Sequence, residues 1–177
     1  MRLLALAALP VLTTSAHALT LDVQGGFGKA SRFDNDGTYA ASLGFALTDE
    51  LSLGATYLYS NLDTTGDAVF GNVNSSLQTY TLDLTYDLAR GGLGTFVGVG
   101  AGQAKLSGSD IDSTQNGIEE FCAAAFVGIR FEVSQNVDFT LTARYTRVFN
   151  VYENANGAAS DQDISHWSGL AGLRFKF

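Results

Sequence analysis

The chain has 177 residues, a one-domain length, with 46% hydrophobic and 16% charged residues, which excludes a disordered or collagen-like polymer. A formal charge of −8 supplies no basic patch to neutralise phosphates, so nucleic acid is excluded as a partner. Cys122 is the only cysteine, which excludes an intramolecular disulfide and leaves a buried thiol as the simple reading.

The chain opens with basic Met1-Arg2, runs through apolar Leu3 to Leu12, and then reaches Thr13-Thr14-Ser15-Ala16-His17-Ala18. A basic end, a short apolar middle and small residues at Ala16 and Ala18 have the layout of a secretory signal cleaved before Leu19. The apolar run is well short of the roughly 20 residues a membrane-crossing helix requires. The expected organisation is therefore a signal peptide over 1–18 and one barrel domain over 19–177. Cleavage removes Arg2 and Pro10, the only proline, and takes the charge from −8 to −9. A proline-free remainder suits strands paired on both edges, because proline donates no ladder hydrogen bond.

From Leu19 onward apolar residues alternate with polar or small ones, the period of strands with two unlike faces. The clearest stretch is Tyr80-Thr81-Leu82-Asp83-Leu84-Thr85-Tyr86-Asp87-Leu88. The same reading predicts strands over Leu19 to Phe33, Tyr39 to Thr48, Leu51 to Asn61, Leu77 to Leu88, Leu93 to Leu106, Ile118 to Val133, Val137 to Val151 and Ile164 to Phe177. Thr48-Asp49-Glu50, Ala89 to Gly92 and Ser134-Gln135-Asn136 are tight turns. Asn61 to Ser76, Ser107 to Gly117 and Glu153 to Asp163 are long polar loops, and Asp34 to Thr38 is the shortest of that kind. Tight turns alternating with long loops describe an up-and-down meander whose two ends lie in different compartments.

Side-chain size decides which face points out. The apolar set includes Leu43, Phe45, Tyr57, Leu82, Leu84, Tyr86, Phe131, Leu141, Tyr145 and Phe175, and an eight-stranded barrel is barely wide enough to hold ordinary side chains. The large residues therefore face lipid. The other face is small (Ser42, Gly44, Ser52, Gly54, Gly98, Gly100, Gly102, Gly172) or charged with both signs (Asp22, Asp83, Asp87, Arg130, Glu132, Asp138, Arg144, Arg174, Lys176). Isolated charges are too costly in a narrow dehydrated lumen, so ion pairs are expected there, with Asp83, Asp87, Arg130, Glu132, Arg144 and Arg174 as candidates. The fold class is all-β, an eight-stranded antiparallel up-and-down transmembrane barrel too narrow for an open channel.

Lys29, Lys105 and Arg147 break the outward pattern about ten to twelve residues from the tight-turn end, roughly 25 to 30 Å along the barrel at ~3.3 Å rise and ~40° tilt. That is the far edge of the apolar band, where a lipid-facing charge costs little. With Trp167, and with Tyr39, Tyr80 and Phe121 at similar depth, they form a candidate outer girdle in contact with lipid and lipopolysaccharide phosphates.

The ending Gly169-Leu170-Ala171-Gly172-Leu173-Arg174-Phe175-Lys176-Phe177 is similar to the last strand of bacterial outer-membrane proteins. With the signal layout and the turn-and-loop alternation, the chain resembles the small eight-stranded family of the OmpA barrel, OmpX and the opacity and Ail-type surface proteins. The resemblance implies a Gram-negative outer-membrane location, insertion by the assembly machinery through Phe175 and Phe177, and long loops exposed outside the cell to an extracellular ligand. Since the chain stops at Phe177, no peptidoglycan-binding domain is expected.

Two constellations bear chemistry. His166-Trp167-Ser168 puts a histidine and a serine on one strand face, with Glu153, Asp161 or Asp163 available to orient the imidazole. It resembles in outline the His-aromatic-Ser element of outer-membrane lipid A deacylases, although here it lies on the last strand and no acid follows Ser168. The loop acids have the oxygen chemistry of a calcium site, but Asp110 to Gln115 lacks the glycine a helical calcium loop has at its sixth position. The glycine-rich run Gly91 to Gly102 has no following helix to cradle a phosphate. The leading expectation is a non-enzymatic outer-membrane protein with a structural, adhesive or envelope role, requiring no cofactor or metal. A lipid A hydrolase using Ser168 and His166 is the alternative, and a narrow small-solute pore is the third.

Overall fold

In a computed structural model of the chain, residues 19–31, 33, 36–67, 71–89, 92–108, 118–155 and 158–177 are described. Period-two alternation with no apolar period of 3.6 commits them to strands, and among the described residues there is no helix. The strands are β1 (Leu19–Ala30), β2 (Asp36–Ala46), β3 (Leu51–Asp67), β4 (Gly71–Ala89), β5 (Leu93–Gly108), β6 (Ile118–Ser134), β7 (Val137–Ala155) and β8 (Ala158–Lys176). Each pairs antiparallel with its neighbour in sequence, and β8 returns to β1 to close an eight-stranded barrel. The closing seam runs from Thr20 opposite Lys176 to Ala30 opposite His166, so no sheet edge is left unpaired.

The tight-turn end is fixed by side-chain hydrogen bonds. Thr48 Oγ1 accepts from the amides of Glu50 (3.2 Å) and Leu51 (3.0 Å), which holds the β2–β3 turn. Asn136, in the β6–β7 turn, accepts from the Lys176 amide (2.8 Å) and donates through Nδ2 to the Lys176 carbonyl (3.0 Å). The Phe177 amide then donates to the Leu19 carbonyl at 3.0 Å, extending the β1–β8 seam to the tight-turn end.

The opposite end departs from the sequence expectation. Two segments read as loops, Asn61 to Ser76 and Glu153 to Asp163, are mostly ladder. β3 and β4 stay paired to Asp67 opposite Gly71, and β7 and β8 to Ala155 opposite Ala158, with register shifts after Thr64 and after Val148. Hydrophobic alternation exposes a strand only where its faces meet unlike media, and a hairpin with polar residues on both faces carries no such signal. At the other extreme β1 stops at Ala30 rather than Phe33, and β2 spans Asp36–Ala46. Segments 1–18 and 109–117, which hold the signal expectation and the calcium-like pattern Asp110 to Gln115, lie outside the described residues.

The faces are as side-chain size requires: Val23, Phe27, Leu43, Leu82, Leu84, Val127, Leu141 and Leu173 are exposed on the outer wall. The interior is not uniformly small and charged. Leu58, Leu62 and Leu77 are fully buried inside, and Phe96 and Phe126 point inward from β5 and β6 at the parity of the glycines. Two apolar clusters result, one of Ala40, Leu58 and Leu170, and a larger one at the long-hairpin end around Phe33, Leu62, Leu77, Cys122 and Val148.

Candidate functional site

Among the described residues four ion pairs occupy the tight-turn half of the lumen. The deepest is Arg144 on β7, which donates from Nη1 to Asp83 Oδ2 (2.7 Å) and from Nη2 to Asp83 Oδ1 (3.1 Å) and Thr81 Oγ1 (2.7 Å). Asp83 also accepts from Thr56 Oγ1 at 2.7 Å, and Thr56 is 2.8 Å from Ser42 Oγ. One polar chain therefore crosses the lumen through β2, β3, β4 and β7. Both Asp83 and Arg144 are buried, and this bidentate geometry, with both terminal guanidinium nitrogens hydrogen-bonded and Nε left without a partner among the described residues, is what makes an ion pair tolerable away from bulk water.

Toward the turns, Arg130 Nη1 donates to Asp87 Oδ1 at 2.5 Å, and Arg174 Nε donates to both oxygens of Asp22 at 3.0 and 2.9 Å. Lys176 Nζ donates to Asp138 Oδ1 at 2.8 Å. The guanidiniums of Arg130 and Arg144 also lie over the rings of Phe96 (4.3 Å to the centroid) and Phe126 (5.1 Å), an attraction that grows as water is excluded. Glu132 is not brought into this network. It stands exposed beside the β6–β7 turn, and among the described residues no ion pair to it is formed. A cavity of about 60 Å³ lined by Asp22, Gln24, Ser42, Thr56, Arg144 and Arg174 remains inside, room for a few ordered waters.

His166 and Ser168 face the lumen from β8 and are both buried. His166 Nε2 lies 3.2 Å from Ser60 Oγ, and Ser60 lies 2.8 Å from Thr38 Oγ1. The imidazole passes across β1 at Gly28, where a β-carbon would collide with the ring and lie 2.5 Å from Thr38 Oγ1. Among the described residues Ser168 Oγ and His166 Nδ1 have no hydrogen-bond partner. The nucleophile–base contact that acyl transfer needs is thus not formed; the histidine is engaged by Ser60 instead. Of the acids considered to orient it, Asp163 is on the outer wall, paired with Arg147, and the side chains of Glu153 and Asp161 lie outside the described residues. Ser60 and Thr38 were not legible as partners of His166, because cross-lumen neighbours depend on the stagger of the closed barrel and not on sequence spacing.

The girdle residues occupy one rim of the outer wall. Lys29 sits directly opposite Trp167 across the β1–β8 seam, and Trp167 packs on Tyr145 with centroids 4.6 Å apart. Arg147 bonds Asp163 and lies over the Phe149 ring at 5.4 Å, while Lys105 is 3.7 Å from Glu119. Two of the three cations are therefore partly neutralised by acids on the adjacent strand. Among the described residues no group of histidine, cysteine and carboxylate side chains is arranged to hold a metal ion.

The sequence matches the outer membrane protein beta-barrel domain over residues 3–175. No curated protein sequence matches it significantly. Among solved structures it is similar to Neisserial surface protein A (16% identity, TM-score 0.69, covering 90% of this chain and 97% of that one). It is also similar to the outer membrane protein OprG from Pseudomonas aeruginosa (15% identity, TM-score 0.59, 91% and 97% covered) and to the outer membrane enzyme PagL (17% identity, TM-score 0.55, 88% and 99% covered). At these identities the likeness is one of fold, shared by surface proteins and an enzyme alike.

Proposed function

We propose, on the premise that this chain belongs to the outer membrane protein beta-barrel family, that it is a non-enzymatic scaffold whose extended hairpins carry an adhesive or envelope-stabilising contact outside the cell. Membership in the family places the barrel in the outer membrane of a Gram-negative cell, in a lipid and lipopolysaccharide environment; in the proposed orientation the tight turns face the periplasm and the long hairpins face outward.

The observation that carries the reading is the length of the outward hairpins. β4 runs from Tyr80 at the rim to Gly71, still paired with β3, and at ~3.3 Å per residue and ~40° tilt this projects a ribbon roughly 23 Å beyond the apolar band. A paired ribbon of that reach serves contact with something outside the membrane. The hydrolase reading lacks support in the arrangement of the lumen, where His166 engages Ser60 and both His166 and Ser168 face away from the lipid they would have to reach.

Three further assignments follow from the same reading. Lys29 and Trp167, with Lys105 and Arg147, contact lipopolysaccharide phosphates at the rim. Phe175 and Phe177 present the last strand to the assembly machinery, and residues 1–18 direct export and are then removed. The test is expression in a strain of defined lipid A, comparing the full chain with a version whose β3–β4 and β7–β8 hairpins are shortened. Surface binding to cells or matrix lost with the hairpins, and lipid A with every acyl chain intact, support the proposal. Loss of an acyl chain that His166→Ala restores would overturn it in favour of the hydrolase.

A further inference from the structure

The alternation of the strands inverts near the girdle. Through most of the wall apolar residues face out and polar residues face in. From the rim outward the outer positions include Asn61, Gln78, Lys105, Arg147 and Asp163, with Phe149 stacked on Phe121 among them, and the inward positions on the same strands are Leu62, Leu77, Leu106, Val148 and Ile164. Apolar residues inside and charged residues outside are the pattern of a barrel standing in water. The inward residues come from every strand except β2, and they pack as one cluster in which Leu62, Leu77, Cys122 and Val148 are at most 3% exposed.

Phe33 completes this cluster from outside the strands. It lies beyond the end of β1, where its amide bonds back to the Ala30 carbonyl at 3.2 Å, and its side chain is buried against the inward residues. Beneath it come the polar layer of His166, Ser60 and Thr38, then the small apolar cluster of Ala40, Leu58 and Leu170, and only then the ion-paired half with its water-sized cavity.

We propose that the outer end of the barrel is a collar with its own dry core, capped by Phe33, which seals the lumen against the exterior and ties the bases of the outward hairpins together. An apolar constriction this tight excludes water and ions by dewetting, without requiring a charge barrier. The collar is independent of which partner the hairpins meet, since its evidence is the inverted alternation and the buried cluster.

Cys122, inside the collar and the only thiol in the chain, serves as the probe. The full chain is reconstituted in liposomes and treated from outside with a membrane-impermeant cationic methanethiosulfonate. Folding is verified by gel mobility before and after boiling. Cys122 in the folded wild-type barrel remains unlabelled until the sample is boiled. Folded Phe33→Ser and Leu77→Ser barrels label about tenfold faster or more, because labelling then follows local opening of the collar rather than global unfolding.

Wild-type labelling as fast as that of Glu119→Cys in a Cys122→Ser background overturns the proposal, and this arm requires no collar variant to fold. Protection that persists in both folded variants overturns it as well, since the seal then lies elsewhere.

Discussion

Phe96 on β5 lies directly opposite Gly128 on β6, and two residues along the same ladder Gly98 lies opposite Phe126. Each ring fills the space a side chain would take on the facing glycine: a β-carbon at Gly128 would run into the Phe96 ring and lie 2.5 Å from the Leu141 carbonyl, and one at Gly98 into the Phe126 ring and 2.7 Å from the Leu84 carbonyl. The rings meet edge to face, 6.4 Å apart at 61°. Gly98→Ala and Gly128→Ala should each destabilise the barrel by about 1–3 kcal/mol, the usual cost of overpacking. The measurement is the urea midpoint of unfolding in lipid bilayers. A midpoint equal to wild type would mean that the rings swing aside freely and do not lock β5 to β6.

The bidentate pair of Arg144 and Asp83 should behave unlike the rim pair of Lys105 and Glu119. Asp83→Ala leaves a buried guanidinium with a hydrogen bond to Thr81 and the Phe126 ring but no counter-charge in contact among the described residues, and losing one member of a buried pair costs about 3–5 kcal/mol. Glu119→Ala breaks a 3.7 Å contact between side chains 34% and 63% exposed, worth about 0–1 kcal/mol and further screened by salt. Equilibrium unfolding of the two variants at low and high salt separates them. Equal losses would mean that the lumen is well hydrated around Asp83.

The fold was legible because a barrel wall in a membrane must alternate: Leu82 and Leu84 face out, and Asp83 between them faces in. The charged inventory of the lumen was legible for the same reason, since Asp83, Arg144 and Arg174 share inward parity and charges in a narrow barrel must be neutralised. What parity does not give is partners, which is why Ser60 as the neighbour of His166 went unread. The assumption of a small-residue lumen also hid Phe96 and Phe126, although a signal was present. The tripeptide Phe-Val-Gly occurs at 96–98 and again at 126–128 on adjacent antiparallel strands, and it is self-complementary there. The outer hairpins were invisible to hydropathy because beyond Leu62 and Leu77 their sequence holds no sustained alternation of apolar and polar residues.

His166→Ala removes a buried side chain and one hydrogen bond to Ser60, whose contact with Thr38 is retained. The expected cost is about 2 kcal/mol, combining cavity formation with partial loss of hydrogen bonding. Ser168→Ala removes a hydroxyl that has no partner among the described residues and should be neutral or slightly stabilising. The two variants are compared by thermal unfolding in detergent micelles. Equal destabilisation would indicate that Ser168 and His166 act as a coupled pair, contrary to the separate environments described above.

Leu82 is 64% exposed on the outer wall, four positions along β4 from Tyr86, which faces Leu51 next to the tight turn. That height is close to the middle of the apolar band, so Leu82→Arg should cost about 2–4 kcal/mol in a bilayer. The same charge at Gln78, near the outer rim, should cost about 0–1 kcal/mol. Stability in lipid vesicles, measured for Leu82→Arg and Gln78→Arg together, gives the depth of β4 directly. A reversed order of the two penalties would place the membrane higher on the barrel than the girdle assignment requires.

Trp167 is the only tryptophan and faces outward at the level of Lys29 and Tyr145, so its fluorescence reports the height of the rim. It lies about ten residues from Phe177, which at ~3.3 Å rise and ~40° tilt is roughly 25 Å from the tight-turn edge, the full height of an apolar band. Amphipathic rings concentrate at that boundary, where the indole N–H reaches water or headgroup oxygens while the ring stays in hydrocarbon. In vesicles of brominated lipid, quenching should therefore be strongest with bromines nearest the headgroup and weakest with bromines near the chain ends. The opposite order would put Trp167 at the midplane and carry Lys29 and Arg147 down with it, to a depth where a lipid-facing cation is heavily penalised. Their contact with lipopolysaccharide phosphates would then be geometrically impossible, and the inverted alternation beyond the rim would have to be explained inside the membrane rather than above it.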